Sequence, residues 1–442
     1  MKSPFRTGRS RRARPLGAIL AVVRVAIMTA GSRGDVAPYT GLGYGLARAG
    51  HEVTLVTHAR FEPLVAGSGV RFHPLPVDPR AELESARGRG LHRSATGAGK
   101  LVRVVALARA LVGRMTDDLV AAARSSDMLL LSGSVGPLGH TIAEGLSLPH
   151  LDLPLQPLAP TREFGPPMLG ARSLGAAGNR LAGHGVSLAV ELVFAGAVPA
   201  LRERLGLPRT HAVAAWRARE RQGRPVLHGF SPHVVPRPRD WRPNLSVTGY
   251  WWPYDGDAQL PPLLRDFLAA GPPPVYVGLG SATVPRPERL GSHIVRALRR
   301  AGLRGVIQRG WAGLEASGDD MLTIDEVPHS ALFPRMAAVV HHAGAGTTAA
   351  GLRAGVPAVP VPIQFDEAFW STRLVTLGVA PRSLPLRHLT PDALATTLVR
   401  ATRDPAFAHR ATKLSTLIRD EDGVLPVLAA VDGAVKGKEA RG

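Results

Sequence analysis

Short apolar segments alternate with longer amphipathic segments in both halves of the chain. In the first half, the apolar run 25–30 precedes a glycine-rich turn, a helical pattern over 39–48 and a second apolar run. In the second half, the run 274–280 precedes a turn, a helical pattern over 288–300 and again an apolar run. Each pattern predicts a strand, a helix and a second strand. Strands that alternate with helices at this spacing predict the α/β class with parallel, doubly wound sheets.

A second similarity between the halves supports a duplicated architecture. The segment AEGLSLPHLDLPLQP begins at Ala143 and resembles LRAGVPAVPVPIQ, which begins at Leu352. Each reads as a helix end, a glycine, a proline and a short strand. Residues 251–272 are rich in proline, glycine and aromatic side chains, which is typical of a linker. We therefore predict two Rossmann-like domains, 23–250 and 273–442, with helices at the end of the second.

The first 22 residues differ in character from the rest. They hold six Lys and Arg residues and no acid, and the apolar run 16–23 makes them superficially similar to a signal peptide. Arg24 interrupts that run, and no clear cleavage site follows. We expect residues 1–22 to be a disordered extension or a mis-assigned start, and the protein to be cytoplasmic.

Composition narrows the class of protein further. The 442 residues are 45% hydrophobic and 20% charged, which suits two globular domains, and no apolar stretch is long enough to predict a spanning helix. The chain has no cysteine, so disulfides and zinc–thiolate sites are excluded. The formal net charge of +20 suits phosphates and leaves peripheral membrane contact open. Because the arginines are scattered, we expect no nucleic-acid partner.

The most specific local pattern runs over residues 339–355. A buried strand ends at two histidines, Gly344 and Gly346 open a tight turn, and two threonines begin a helix. Glycines let a diphosphate approach the backbone, and a helix N-terminus offers N–H groups and a positive dipole end. No lysine follows as in a P-loop, so nucleoside triphosphate hydrolysis is disfavoured. A simple helix cap with two incidental histidines is the alternative.

The first half has a counterpart turn, GSRGDVAP, over residues 31–38. Ligands of open α/β sheets bind at the carboxyl ends of strands, where this turn lies. Asp35 in the turn is a candidate general base for a hydroxyl, with a helix N-cap as the structural alternative. Asp255-Gly256-Asp257 has a form that some transferases use for a metal, but it lies in the predicted linker. No zinc spacing occurs either, so we predict no metal and no cofactor.

Several stretches together resemble a known family. They include GSRGDVAPYTGLGYGLARAGHEVTLVTHARF, PPPVYVGLGSAT, VPHSALFPRMAAVVHHAGAGTTAAGLRAGVP and FDEAFWSTRLVTLGVAP, within a match from Val25 to about Asp432. The chain resembles family 1 glycosyltransferases, in the branch of sterol glucosyltransferases and bacterial glycopeptide and natural-product glycosyltransferases. This resemblance implies the GT-B fold, in which two Rossmann-like domains face each other across a cleft. The N-terminal domain would bind the acceptor and the C-terminal domain the nucleotide sugar.

The resemblance also implies roles for individual residues. Asp35 would be the catalytic base. Around the donor, the sugar or diphosphate would lie beside Ser32 and Arg33, and the sugar hydroxyls would be bound by Asp366 and Glu367. The phosphates would be held by Ser281, His342, Gly344, Gly346 and Thr347, and the nucleotide base would be framed by Trp311, Val327 and His329.

Two positions depart from the family pattern. Relatives usually have Gly where this chain has Ala343, and Gln where it has Glu367. An ionised Glu only accepts hydrogen bonds and adds a negative charge beside the sugar. This charge favours a donor that offers only hydroxyl protons here, or one with a protonated amine, so an amino-deoxysugar on dTDP is an alternative to glucose on UDP. The structural alternative is that Glu367 points to solvent and that a neighbouring group binds the sugar.

The sequence thus predicts an inverting hexosyltransferase that uses a UDP- or dTDP-sugar. The acceptor would be a hydroxyl of an apolar small molecule or lipid, such as a sterol, a polyketide or a glycopeptide-like aglycone. Residues 157–208, with apolar helical stretches, either line its pocket or form an ordinary insertion. A nucleotide-sugar epimerase, a non-catalytic auxiliary partner and a lipid-linked cell-wall transferase are the alternative functions.

Overall fold

The computed structural model of the chain describes residues 22–78, 81, 97–256 and 259–439. Residues 1–21, on which the predicted extension rests, and Asp257 of the dismissed metal pattern lie outside the described residues.

The first domain is built on a seven-stranded parallel sheet. Its strands lie in the order β3-β2-β1-β4-β5-β6-β7. In β1, Val25 pairs with Val53 of β2 on one side and with Met128 of β4 on the other. The strands are β1 (Arg24–Met28), β2 (Glu52–His58), β3 (Arg71–Leu75), β4 (Met128–Leu131), β5 (His150–Asp152), β6 (Val226–His228) and β7 (Leu245–Val247).

The second domain has a five-stranded parallel sheet in the order β10-β9-β8-β11-β12. The central strands β8 and β11 pair with each other, as β1 and β4 do in the first sheet. The strands are β8 (Val275–Gly278), β9 (Gly305–Gln308), β10 (Met321–Ile324), β11 (Ala338–His341) and β12 (Ala358–Pro360). Together the two sheets confirm the predicted pair of doubly wound α/β domains.

Helices cover the faces of both sheets. The α-helices within the described residues are α1 (Arg33–Arg48), α2 (Gly97–Arg124), α3 (Gly136–Gly145), α4 (Gly175–Phe194), α5 (Ala197–Arg204), α6 (Ala212–Gln222), α7 (Pro262–Ala269), α8 (Pro287–Ala301), α9 (His329–Leu332), α10 (Ala345–Ala354), α11 (Glu367–Thr376), α12 (Pro391–Arg403), α13 (Pro405–Arg419) and α14 (Val424–Glu439). Short 3₁₀ turns lie at Ala59–Val65, Pro167–Leu169, Phe333–Arg335 and Leu386–His388.

Burial on both faces explains why the strands are almost continuously apolar. Successive residues of a strand point to opposite faces, and Ile27 and Met28 of β1 are each fully buried, in separate clusters. Val339 and Val340 of β11 are buried in the same way on the two faces of the second sheet. Parallel sheets covered by helices on both faces require this pattern.

The predicted linker, residues 251–272, is more ordered than its composition suggested. Trp251 is buried in the first domain, where its indole Nε1 donates to the Gly423 carbonyl at 2.8 Å. Leu264, on α7, is buried in the second domain beside Tyr276. The prediction of a segment without core residues was wrong, because its aromatic and leucine side chains complete two different cores.

The last helix was predicted to belong to the second domain, but it packs on the first. Val427 and Val431 of α14 are fully buried against residues of β1 and α1. The chain therefore crosses back after α13, and its end belongs structurally to the N-terminal domain.

The two domains also share a buried cluster. Phe230 and Trp241, from the chain that follows β6, pack with Phe369 and Trp370 of α11. Arg373 adds hydrogen bonds from its guanidinium to the Val234 carbonyl at 2.6 and 2.9 Å. Because large apolar interfaces oppose rigid-body movement, we expect any closure around a ligand to be small.

Within the described residues, no single helix has the length and hydropathy that a membrane span needs. Helices α4 and α5 reach that length and hydropathy only when they are counted together, and the chain bends by 62° between them.

Candidate functional site

The two sheets present their carboxyl-end turns to each other across a cleft. The turn after β1 leads into α1, and the turn after β11 leads into α10, at the point where strand order reverses in each sheet. Such switch points are where open α/β sheets bind ligands. A Cβ built on Gly346 would lie 3.8 Å from the Cα of Gly34. Two helix N-termini, each a positive dipole end, therefore meet at one place.

Asp35 lies in the first turn of α1. Its carboxylate Oδ2 accepts hydrogen bonds from the Ser32 backbone N–H at 2.8 Å and from the Ser32 hydroxyl at 2.9 Å. These bonds form a capping box with Ser32 as N-cap, so the structural alternative for Asp35 holds in part. Among the described residues none donates to Oδ1. Asp35 therefore supports the N-terminus of α1 through Oδ2.

The surroundings of Asp35 make it more basic than an exposed aspartate. Burial raises its pKa above the ordinary value, the two bonds from Ser32 oppose this, and the carboxylate of Asp366 raises it further. Burial also raises the pKa of Asp366, while the Trp370 indole, donating to Oδ2 at 2.8 Å, lowers it. A carboxylate from the first domain and one from the second thus lie near enough in the cleft to influence each other.

The turn that precedes Asp35 is held by three successive backbone N–H groups. Ala30 donates to the Ser134 hydroxyl at 3.0 Å, Gly31 donates to Nε2 of His58 at 2.9 Å, and Ser32 donates to Asp35. These donors are consequently occupied by protein atoms.

The N-terminus of α10 supplies N–H groups that are able to bind an anion. Gly344 is the N-cap, and the Thr348 N–H is the donor of the first bond within the helix, to the Gly344 carbonyl at 2.9 Å. The N–H groups of residues 345–347 therefore have no carbonyl partner in the helix. No lysine is needed for such a site to attract an anion, because the donors and the dipole act together.

The two histidines before this turn have different roles. His341 is buried, and its Nδ1 accepts from the Ala343 N–H at 3.1 Å, so it stabilises the turn itself. The His342 imidazole lies between two glycines: a Cβ on Gly344 would be 2.4 Å from its Nε2, and a Cβ on Gly280 would be 2.8 Å from its Cε1. Burial lowers the pKa of His342 to about 4, so it is neutral at pH 7. Its buried Nδ1 has no hydrogen-bond partner among the described residues.

Two further contacts bridge the cleft. Arg33 of α1 forms an ion pair with Glu326, which follows β10, with 2.9 Å between Nη1 and Oε2. The Arg60 guanidinium lies 5.3 Å from the ring centroid of Trp311, which follows β9. Both partners lie at carboxyl ends of strands in the second sheet. Arginines of the first domain therefore reach the part of the second sheet next to the α10 turn.

Comparison with protein families gives two matches. Residues 25–151 match the glycosyltransferase family 28 N-terminal domain. Residues 308–424 match the erythromycin biosynthesis protein CIII-like C-terminal domain. The two matches fall one in each sheet domain and include the turns that meet in the cleft.

Relatives extend the match over nearly the whole chain. The chain is 37% identical over 409 residues to an O-mycaminosyltylonolide 6-deoxyallosyltransferase of Streptomyces fradiae, covering 91% of this chain and 95% of the relative. It is 33% identical over 431 residues to a sterol 3-beta-glucosyltransferase of Arabidopsis thaliana, covering 92% of this chain and 65% of the relative. The chain belongs to this glycosyltransferase family. It spans slightly less than two thirds of the length of the plant glycosyltransferase.

Solved structures of glycosyltransferases share the fold. The glycosyltransferase VinC in complex with dTDP superposes with a TM-score of 0.63 at 22% identity, over 93% of this chain and 100% of VinC. The GT-B architecture predicted from the sequence is thereby confirmed. The family matches and the relatives described above confirm the predicted similarity to sterol glucosyltransferases and to bacterial natural-product glycosyltransferases. The matching N-terminal family is numbered 28, whereas the sequence resemblance pointed to family 1.

In this glycosyltransferase most of the predicted donor residues gather at the cleft, with different exposures. Ser281, His342, Gly344, Gly346 and Thr347 are half-buried around the turns after β8 and β11. Ser32 also lies there, but its hydroxyl donates a hydrogen bond to the Asp35 carboxylate rather than facing a nucleotide sugar. These positions keep the proposed phosphate-binding roles, with Ser32 reassigned to supporting Asp35.

The predicted base-framing residues divide between core and cleft. The Val327 side chain is buried with Phe333 and Tyr276, so only its backbone is able to face a nucleotide. His329 stacks on Phe333 with ring centroids 4.2 Å apart. Burial, and then the charge of Arg33, lower the pKa of His329 to about 3, so its ring is neutral. Trp311 is the one predicted aromatic platform at the cleft.

Glu367 does not face the sugar as the sequence analysis predicted. Its side chain is buried, and Oε2 accepts from the backbone N–H groups of Ile363 at 2.5 Å and Gln364 at 2.7 Å. The carboxylate therefore holds the turn that carries Asp366. The predicted selection of an amino-sugar by its charge loses its geometric basis.

Removing the Glu367 carboxylate is expected to destabilise that turn without changing the donor preference. Glu367→Ala leaves two backbone N–H groups without their acceptor, at a cost of about 1–3 kcal/mol. Glu367→Gln keeps an amide oxygen in place, so the cost is smaller. Thermal unfolding of both variants and competition between paired donors check this. A roughly tenfold change in the ratio of the two donors used by Glu367→Gln would instead indicate that the Glu367 carboxylate contacts the sugar.

Four residues of the site were not found from the sequence: His58, Arg60, Ser134 and Glu326. They lie at the ends of three strands, β2, β4 and β10, and each contacts a residue that is distant in sequence. The stretch HEVTLVTH contained one signal, since His58 is a polar residue at the carboxyl end of a buried strand.

No group of three or more His, Cys, Asp or Glu side chains within the described ranges is arranged to hold a metal ion. Independence from metal stays a prediction.

Proposed function

We propose that this glycosyltransferase moves a hexose from a UDP- or dTDP-sugar to a hydroxyl of an apolar acceptor, with inversion at the anomeric carbon. The observation that carries the proposal is the close approach of the first turn of α1, which contains Asp35, to the N-terminus of α10 across the cleft. One side offers a basic carboxylate oxygen and the other offers N–H groups for an anion. Attack by a hydroxyl and departure of a diphosphate need both.

The proposed donor site lies on the second domain. The diphosphate binds the N–H groups of residues 345–347, and the neutral imidazole of His342 donates to a phosphate oxygen. Trp311 provides a face for the base, and Asp366 accepts from sugar hydroxyls. The dTDP in the VinC structure supports a nucleoside diphosphate as the carrier.

In the proposed reaction Asp35 takes the acceptor proton on Oδ1 while the acceptor oxygen attacks the anomeric carbon. The leaving diphosphate gains negative charge at the α10 N-terminus, where fixed donors stabilise it. A sterol or a macrolide is the proposed acceptor class, because the relatives are named for a sterol and for O-mycaminosyltylonolide, which is a macrolide. Attack opposite the leaving group gives inversion.

The test is mass spectrometry of reactions with UDP-glucose and dTDP-sugars against a panel of sterols and polyketide and glycopeptide aglycones. A product whose mass equals acceptor plus hexose residue supports the proposal, and the anomeric proton coupling in its NMR spectrum gives the stereochemistry. Release of an altered nucleotide sugar without any acceptor would identify an epimerase. Absence of both reactions together with binding of a partner enzyme would support the auxiliary role.

Chelation of divalent metal is expected to leave the chemical step intact. The proposed leaving-group stabilisation uses backbone N–H groups and His342, so it needs no Mg²⁺. The single-turnover rate after exhaustive EDTA treatment should match the untreated rate. A rate that falls by tenfold or more and returns only with Mg²⁺ would show that a metal carries the charge.

A further inference from the structure

His58 lies behind the turn that carries Asp35. It is the last residue of β2, and only 2% of its surface is exposed. Its Nε2 accepts the Gly31 N–H at 2.9 Å. Burial is the main cause that lowers its pKa to about 4, while Asp78 raises it and Arg60 lowers it. At neutral pH the ring is therefore uncharged, with Nε2 able to accept.

The Gly31 peptide is in direct contact with the Asp35 carboxylate. Gly31 has φ +133°, which side-chain-bearing residues rarely adopt, and a Cβ there would lie 2.5 Å from Asp35 Oδ2. The next N–H along the chain, that of Ser32, donates to the same oxygen. The orientation of this peptide therefore decides where the carboxylate is held and how strongly its charge is stabilised.

We propose that His58 is a positioning residue for transfer, which fixes the Gly31 peptide so that Ser32 holds Asp35 Oδ2 and directs Oδ1 toward the acceptor hydroxyl. The proposal rests on the proposed function and on Asp35 as its base. Ser134 holds the neighbouring Ala30 N–H, so the turn keeps a second anchor when His58 is changed. A change at His58 should then alter Asp35 without removing the turn.

The variants His58→Met and His58→Gln separate the hydrogen bond from packing. Methionine has a similar size and no strong acceptor, whereas glutamine is able to place an amide oxygen near the position of Nε2. His58→Met should lower kcat by about tenfold to a hundredfold, as expected for a misplaced reacting group, and leave the donor KM within about twofold. It should also shift the acid limb of the pH–rate profile upward, because the bonds from Ser32 lower the pKa of Asp35. His58→Gln should recover most of kcat and the wild-type limb.

Two controls show whether the effect passes through Asp35. In the Asp35→Asn background, His58→Met should cost little further rate, since residues that act together are not additive. His51 is a buried histidine that directly precedes the first residue of β2, and its Nε2 lies 3.4 Å from Oδ1 of Asp432. His51→Met is expected to affect thermal stability alone and to leave the pH–rate profile unchanged.

Several results would overturn the proposal. They are an unchanged kcat in His58→Met, a loss of rate with no shift of the acid limb, and an equal loss in the Asp35→Asn background. If His58→Met does not fold, His58→Asn replaces it, because its shorter side chain does not reach Gly31. Equal activity of His58→Asn and His58→Gln would then contradict the positioning role of His58. A wild-type protein without any transfer would refute the proposed function instead.

Discussion

Asp35→Asn is expected to lower the rate of sugar transfer by about 10²–10⁴, the usual contribution of a general base. The amide keeps the shape of the side chain and is able to accept from Ser32, so the capping of α1 is largely retained. What is lost is the proton acceptor at Oδ1. Nucleotide-sugar binding measured by calorimetry should persist, because the proposed donor site lies on the second domain.

The pH dependence provides an independent check on Asp35. A base works only when ionised, so the rate should fall as pH decreases through its pKa. Burial and the Asp366 carboxylate raise that pKa above the ordinary value of 3.8, so the acid limb should lie above this value and vanish in Asp35→Asn. Asp117 is an exposed aspartate on α2, so Asp117→Asn is the matched control and should behave as wild type. Turnover close to wild type in Asp35→Asn would reduce Asp35 to a helix cap.

Gly41→Ala is expected to lower the stability of the fold, although alanine is the better helix former. Gly41 lies within α1, and a Cβ there would be 1.6 Å from the Trp252 carbonyl oxygen. The neighbouring Thr40 hydroxyl accepts the Tyr254 N–H at 2.9 Å, so this segment cannot easily move away. Helix propensity alone favours alanine by about 1 kcal/mol. Overpacking against backbone costs about 3 kcal/mol or more and outweighs it.

Gly113→Ala is the matched control for this stability prediction. Gly113 is exposed within α2, and a Cβ there would meet nothing within 4 Å. Its replacement should raise stability by about 0.5–1 kcal/mol. Thermal unfolding of the two variants should give shifts of opposite sign, with Gly41→Ala lower by about 5 °C or more. A Gly41→Ala protein as stable as wild type would mean that the segment 251–254 does not cross α1 at this position.

The order of strands and helices was predictable because the local sequence of each element specifies it. Apolar runs bounded by glycine predicted β1 and β11, and the turns that follow them predicted the cleft. Parallel strands end on one edge of a sheet, so two such turns had to lie at ligand-binding positions. Asp35 and the α10 turn were therefore identified without knowledge of any contact.

The fate of individual side chains was not predictable in the same way. Glu367 and His58 each bind backbone N–H groups of a turn, and nothing in their local sequence distinguishes such a bond from contact with a ligand. Likewise the apolar pattern of α14 indicated a buried face but not the domain that buries it. Exposure to a ligand is a property of three-dimensional surroundings, whereas periodicity is a property of the chain.

By itself, then, the sequence determined the two parallel-sheet domains and their two glycine-rich turns, because these depend on periodicity and on short local patterns, and the longer stretches that resemble a known family indicated the family. Tertiary structure alone decided that α14 returns to the first domain and that the two domains share a core around Phe230 and Trp370. It also decided that Glu367 supports a turn rather than a sugar. Each of these outcomes pairs residues far apart in the chain or sets a side-chain direction, and burial between distant segments is settled only when the whole chain has packed.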